Sequence, residues 1–493
     1  MDRRVAQGRS PLAAADLPPV SPIVAVGTGL LLVAIALVIY SITHPVRYYD
    51  HFEWQAMAFL EGHAAIRYPV GSMAACSGNA CFNDVMTVRS DDGVPRGLIP
   101  FPPLPAVLLM PFVALWGRAT DGQLLFAVLG ALDVGLAWWV LGRLPIRQWV
   151  RVATVVFFAF GTVFWYAAQL GTTWYQAHVL AVALVLLAIG LSLGGDRQAV
   201  VDEDDQPDEE PFTAGRDRAS RLPAWFIPDR RQFLAGFLLG LACTARLTVL
   251  FAAPFFVLVG PAGTWLRRGW SAALGAGIPI GALLVYNLVA TGDLFNPAYE
   301  ALYRIETFGY PQFGYQPDWS IEDLRYVPRN LETMFLSTPV LNPVTVPRIL
   351  GGEPLCVATQ VRGLFSADCP LLLPRDTGMS LLLTSPAYLL ALPGLRAGYG
   401  RNRLVTGSAL AILLVAIVNL MHFSQGWVQF GYRFSNDFAP FAILLVALGI
   451  ERVAAARGRT RRTSAAIAIA VGLIVVSVVV NAWGVAWGDA LGW

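Results

Sequence analysis

The 493-residue chain contains no lysine, and all 35 of its basic residues are arginine. That absence removes every mechanism built on a side-chain amine, among them a Schiff-base nucleophile and the lysine of a phosphate-binding P-loop. Any anionic ligand has to be held by guanidinium groups, which suit bidentate contacts. A GC-rich coding sequence produces the same bias, so the absence excludes chemistry without by itself assigning any. Charge of either sign is scarce: Asp, Glu and Arg make up 14% of the chain, against roughly 25% in a soluble domain. With 33 acidic residues the net charge is +2, so no basic field exists to attract nucleic acid, and that class of partner is excluded first. A hydrophobic content of 56% and a mean hydropathy of +0.56 belong to a protein whose solvent is largely lipid.

Apolar runs of about 17–25 residues mark helices able to cross a bilayer. About eleven are legible, near residues 22–43, 122–142, 150–168, 176–194, 232–245, 248–264, 269–290, 379–396, 404–422, 437–453 and 463–485. Two are short, because Arg246 splits one apolar stretch into two arms. Arginines gather beside alternate span ends: Arg3, Arg4 and Arg9; Arg143, Arg147 and Arg151; Arg267 and Arg268; Arg396, Arg401 and Arg403; and a dense group from Arg452 to Arg462. By the positive-inside rule these ends are cytoplasmic, which puts the N-terminus inside and the C-terminus outside. The first span is too long for a signal-peptide core and lacks a small-residue cleavage site, so it is expected to remain as an anchor. Residues 101–117 open with several prolines and are expected to form an interfacial or re-entrant helix on the outer face.

The expected fold is therefore all-α, a polytopic integral membrane protein with about eleven transmembrane helices plus an outer interfacial helix. Its parts are a cytoplasmic tail (1–21), an N-terminal transmembrane core (22–290), a large outer loop (291–378) and C-terminal transmembrane helices (379–493). The core includes a first outer loop (45–121) and an acidic inner loop (195–231) whose composition cannot bury a core and is expected to be disordered. Four of the five cysteines fall in outer loops, as Cys76/Cys81 and Cys356/Cys369, where an oxidising compartment permits two local disulfides. No second Cys or His pair sits at zinc-like spacing.

All five histidines, His44, His51, His63, His178 and His422, lie at or beyond the outer ends of spans. Interfacial tolerance of the ring explains part of this, and a titratable outer cavity explains the rest equally well. In the first outer loop, Trp54, Met57, Ala58 and Leu60 give a helical repeat ending at Gly62, which puts Asp50 at the N-cap. As a cap it is ordinary. Placed just beyond the anchor with His51 and Glu53 beside it, it is also a carboxylate able to take a proton from a hydroxyl nucleophile. Asp133 stands in mid-span among Gly130, Ala131 and Gly135, where an ionised carboxylate is costly, and is expected to be protonated or bonded to a neighbouring helix.

These residues resemble the glycosyltransferase-C superfamily, which includes the dolichyl-phosphate-mannose protein mannosyltransferases and uncharacterised bacterial relatives. The resemblance rests on Asp50 through Leu60-Glu61-Gly62, on Pro102-Pro103-Leu104 to Gly117, and on Gly236 through Thr244-Ala245-Arg246. It extends to Tyr286-Asn287 with Gly292-Asp293-Leu294-Phe295-Asn296-Pro297-Ala298-Tyr299, and to Phe430-Gly431-Tyr432-Arg433-Phe434. Many relatives have Asp-Glu where this chain has Asp50-His51, with the acid displaced to Glu53.

The resemblance implies transfer of a sugar from a polyprenyl-phosphate-linked donor to a glycan, lipid or protein acceptor on the outer face of the cytoplasmic membrane. It implies Asp50 as catalytic base, with His51, Glu53 and His178 shaping a polar cavity and Arg246 and Arg433 holding the lipid phosphate. Metal use, a divalent cation included, stays open, and Arg433 has an alternative partner in Asp437. The rival readings are a lipid-linked glycan transporter or non-catalytic membrane protein, and a polysaccharide ligase or polymerase. A transporter should show a repeat across two halves, and no internal repeat is legible.

Overall fold

In the computed structural model, residues 21–45, 49–67, 84–89, 95–194, 227–261, 263–298, 318–344, 361–364, 369–426, 428–455 and 461–493 are described, with 300, 316 and 366 besides. The N-terminal tail up to residue 20, most of the acidic loop, and Cys76, Cys81 and Cys356 lie outside them. The helices begin with α1 (Pro22–Ile42), α2 (His51–Leu60), α3 (Leu104–Trp116), α4 (Gly122–Leu141), α5 (Gln148–Phe160), α6 (Phe164–Leu170) and α7 (Thr173–Ser192). They continue with α8 (Arg230–Cys243), α9 (Ala253–Leu258), α10 (Trp265–Thr291), α11 (Val327–Phe335), α12 (Leu381–Thr384) and α13 (Ala391–Gly398). The last three are α14 (Arg403–Met421), α15 (Ala439–Ala455) and α16 (Arg461–Ala490). Two small antiparallel ribbons complete the described part: β1 (Met86–Arg89) with β2 (Pro95–Leu98), Met86 facing Leu98, and β3 (Val340–Leu341) with β4 (Leu372–Leu373).

The all-helical membrane architecture read from the sequence is present, with a different span count. Six helices, α1, α4, α7, α10, α14 and α16, are long and apolar enough to cross a membrane, and α5 with α6 makes a seventh if that pair, bent by 53°, is one span. The stretches 232–245, 248–264, 379–396 and 437–453 form shorter helices. The breaks fall at single residues. At Arg246 the backbone turns extended, with φ −140° and ψ 104°, which ends the α8 run and starts a 3-10 turn over Leu247–Ala252. At Ser385 a non-helical residue, with φ −139° and ψ 62°, separates α12 from a 3-10 turn over Pro386–Leu390. Helix α3 has 13 residues, about 20 Å at 1.5 Å per residue, short of a hydrocarbon core of about 30 Å.

Helices α7 and α15 form the centre, buried on nearly every face, while α1 and α16 expose most of their apolar side chains. Arg147 pairs with Glu451 at 3.5 Å, which fastens the start of α5 to the end of α15. Asp437, just before α15, is therefore at the opposite end of that helix from the arginine cluster. Asp133 is fully buried in α4 and neither oxygen has a hydrogen-bond partner, so of the two expected outcomes, a protonated carboxyl or a bond to a neighbouring helix, the bond is not formed.

Small residues bring α8 and α10 into backbone contact. A Cβ at Gly236 would fall 2.0 Å from the Ala272 carbonyl oxygen, one at Gly240 2.6 Å from that of Ala276, and one at Gly275 2.0 Å from that of Phe233. This is a small-xxx-small interface. Gly281 on α10 has nothing within 4 Å of the same position. Gly236→Leu should therefore sharply lower the yield and melting temperature of detergent-solubilised protein, whereas Gly281→Leu should leave both near wild type. Equal behaviour of the two variants would contradict this packing.

Candidate functional site

The polar centre of the molecule is built around one carboxylate. Asp437 ends a 3-10 turn (Arg433–Asp437) and is fully buried. Its Oδ1 accepts from His178 Nδ1 at 2.8 Å and from Arg246 Nε at 3.2 Å. Its Oδ2 accepts from Arg246 Nη2 at 2.8 Å, Thr248 Oγ1 at 2.8 Å and Asn419 Nδ2 at 3.1 Å. Burial alone would raise this carboxyl, but Arg246 and His178 outweigh it and hold Asp437 well below the ordinary carboxylate range. A carboxylate only accepts, so His178 carries its proton on Nδ1 and leaves a buried Nε2 without a partner.

The Arg433–Asp437 pair anticipated as an alternative is not made. Arg246 takes that carboxylate with a two-toothed grip, and it is neither loose nor merely reaching for the interface. Arg433 instead lies over the Tyr175 ring at 5.8 Å and the Phe434 ring at 5.3 Å, and Arg246 meets the same Phe434 ring at 5.2 Å. Two guanidiniums thus share one aromatic platform. Asp437 neutralises one of them, and among the described residues no carboxylate pairs with the other. Gly426 makes this possible: its φ is +104°, and a Cβ there would fall 2.9 Å from Arg433 Cζ.

A second polar cluster forms around α2. Asp50 occupies the N-cap position, yet its side chain makes no capping hydrogen bond. It is half-buried, and burial raises its carboxyl above the usual range despite the lowering effect of the Arg118 charge and a bond donated by Trp54. Arg118 stacks on the Trp54 ring at 4.1 Å. Glu53, one turn on, is buried; its Oε1 accepts from Gln176 Nε2 at 3.3 Å and its Oε2 has no partner. His51 is fully buried, with Nδ1 2.9 Å from Thr173 Oγ1 and its ring near Phe101 and Trp174. The Thr173 hydroxyl is spent on the Tyr49 carbonyl, so His51 is the donor in that contact.

The two clusters meet on the first turns of α7. Thr173 and Gln176 serve α2, while Tyr175 and His178 serve Arg433 and Asp437. Of the residues singled out in the sequence, the structure brings Arg246, Arg433 and His178 together around Phe434, and Asp50, His51 and Glu53 together on α2. His178 belongs to the Asp437 cluster. His44 and His63 make separate contacts with the Gln169 carbonyl and Arg96, while His422 contacts Glu322 and packs edge-on to the Phe434 ring at 6.2 Å. Sequence reasoning missed Thr248, Asn419 and Gln176, and did not pair Asp437 with Arg246. The signal was the polar run Arg433 to Asp437 standing directly before an apolar helix. Cys369 is disulfide-bonded, and Cys243 is a free buried thiol. Among the described residues no group of three or more His, Cys, Asp or Glu side chains is arranged to hold a metal.

Between α2, α3, α8 and α10 lies an apolar cavity of about 580 Å³, lined by Phe59, Leu104, Val107, Leu241, Leu283 and Tyr286 among others. Thr244, two residues before Arg246, also lines it.

No family model and no curated protein matches the chain. Among solved structures it is similar to ArnT from Cupriavidus metallidurans in the apo state, with 12% identity over 95% of this chain and 77% of that one and a TM-score of 0.42. ArnT bound to undecaprenyl phosphate gives 12% identity, coverage of 95% and 76%, and a TM-score of 0.39.

Removing one partner of a buried ion pair typically costs about 3–5 kcal/mol. Asp437→Ala should destabilise the detergent-solubilised protein on that scale, measured by denaturant or thermal unfolding. An unchanged midpoint would show that the Asp437 cluster does not hold the bundle together.

Proposed function

We propose that this chain is a membrane glycosyltransferase that moves a sugar from a polyprenyl-phosphate-linked donor to a hydroxyl acceptor on the outer face of the cytoplasmic membrane. The observation that carries the reading is a carboxylate and a guanidinium in the two clusters that meet on the first turns of α7. Asp50 is a carboxylate at a cap position that does not cap, and Arg433 is a guanidinium that pairs with no carboxylate among the described residues. Glycosyl transfer from a lipid phosphate needs one of each. The resemblance of Asp50–Gly62, Pro102–Gly117 and Gly236–Arg246 to the glycosyltransferase-C superfamily supports the same reading.

In this mechanism the acceptor hydroxyl gives its proton to Asp50 as its oxygen forms a bond to the anomeric carbon. The bond from that carbon to the phosphate oxygen breaks, and its electron pair leaves on the polyprenyl phosphate. Arg433 meets the charge that develops there, with Arg246 beside it on the same ring. A carboxyl raised by burial is a stronger base than an exposed one, which matches general-base work near neutral pH. The apolar cavity beside Thr244 suits an isoprenoid tail, whose head would then lie toward Arg246. His51 supports the site by anchoring α2 to Thr173.

Loss of a general base lowers turnover by about 10²–10⁴-fold. Purified Asp50→Asn should lose sugar transfer from a polyprenyl-phosphate donor on that scale, with donor binding retained. Unchanged turnover would remove Asp50 as the base. Failure of the wild type with every such donor would remove the proposed reaction.

A further inference from the structure

Glu53 is left unexplained by the mechanism above. Its carboxyl is buried one helical turn after Asp50, on the same side of α2, and it sits against the start of α4. A Cβ at Gly122 would fall 1.7 Å from Glu53 Oε1, so only glycine leaves room for it. Asp121, the residue before, already caps α4 through Leu124 N–H at 2.9 Å, so the helix end gives Glu53 little help as an anion. Asp50 and Asp121 add negative charge from α2 and α4. The one side chain bonded to it from α7 is the Gln176 amide.

That amide is suited to either form of the acid. Gln176 Nε2 donates to Oε1 at 3.3 Å, while Gln176 Oε1 and Glu53 Oε2 both lack a partner. A half-turn of the amide presents its oxygen to a carboxylic O–H instead.

We propose that Glu53 works as a neutral acid, a positioning residue that leaves Asp50 as the ionised member of the carboxyl pair, with Gln176 as its partner in both protonation states. The inference rests on the reading of Asp50 as the base, and deepens it. Two carboxyls in one buried cluster do not readily ionise together. Burial, with Asp50 and Asp121 adding to it, pushes Glu53 up to about 8. Ionisation of Glu53 would place a second negative charge beside Asp50 and return Gln176 to donating.

A group raised in the folded state contributes stability that is complete below its ordinary value and is lost as pH rises through its folded value. Wild-type melting temperature should therefore fall between pH 5 and about 8 by more than that of Glu53→Gln. The direct test is infrared pH titration of the full-length protein, following the carboxylic-acid C=O band. The expected result is a component of that band, separate from any contributed by the buried Asp133, that is present at neutral pH, titrates near 8 and is absent from Glu53→Gln. Its midpoint should move to lower pH in both Asp50→Asn and Asp121→Asn. A Glu53→Gln spectrum that keeps the component titrating near 8, or a midpoint unmoved by Asp50→Asn, would overturn the proposal. The readout does not depend on turnover. A shifted band in an Asp50→Asn protein that still transfers sugar would remove Asp50 as base and leave the carboxyl pair standing. Lost transfer with an unmoved band would do the reverse.

Discussion

The buried Asp437 carboxylate is the constraint on which the rest of this molecule depends. An anion taken out of water must have its lone pairs met by donors or it destabilises the fold by several kcal/mol. Here five hydrogen bonds meet it, from α7, from the 3-10 segment after α8, and from α14. Satisfying that demand shapes the chain around it. The backbone turns extended at Arg246 so that the guanidinium and Thr248 both reach the carboxylate. An apolar stretch long enough to make one span becomes two short arms as a result.

The same demand distributes roles among the other polar groups. By taking Arg246 in a two-toothed grip, Asp437 leaves Arg433 as the cation with capacity to spare on the shared Phe434 ring. By holding His178 through Nδ1 it fixes the tautomer of that ring. The head of α7 is polar from Thr172 to His178 and apolar beyond, so one buried helix supplies contacts to both clusters and then serves as core. The α2 cluster follows the opposite logic. Asp50 and Glu53 are given few donors, and their carboxyls are raised where that of Asp437 is lowered.

The long spans were legible in the sequence because an apolar run of that length has few other stable environments. The helix over 51–60, the glycine stop at Gly62 and the proline-led helix over 104–116 were legible for the same local reasons. The break at Arg246 was legible as a charge inside an apolar stretch, whereas the break at Ser385 was not, since a small polar residue there leaves no mark on the apolar pattern. Arg246 was legible as a residue needing an anion. Its partner lies 191 positions away, and proximity along the chain pointed to Arg433 instead. Likewise Asp50 read as a cap from its neighbours, and only the folded geometry shows its side chain released from that duty. Gln176 and Gly122 carried no signal, because their importance lies in the space and hydrogen bonding they leave for Glu53.

On the proposed reading, Asp437 occupies Arg246 and so makes Arg433 the cation for a lipid phosphate. Equilibrium binding of farnesyl phosphate, a short polyprenyl monophosphate, to the purified protein and to Arg433→Gln tests it most directly. Loss of one charge-assisted contact corresponds to about tenfold or more in affinity. The account predicts that loss for Arg433→Gln in a protein that melts like the wild type, and equal affinities in the two proteins would contradict it.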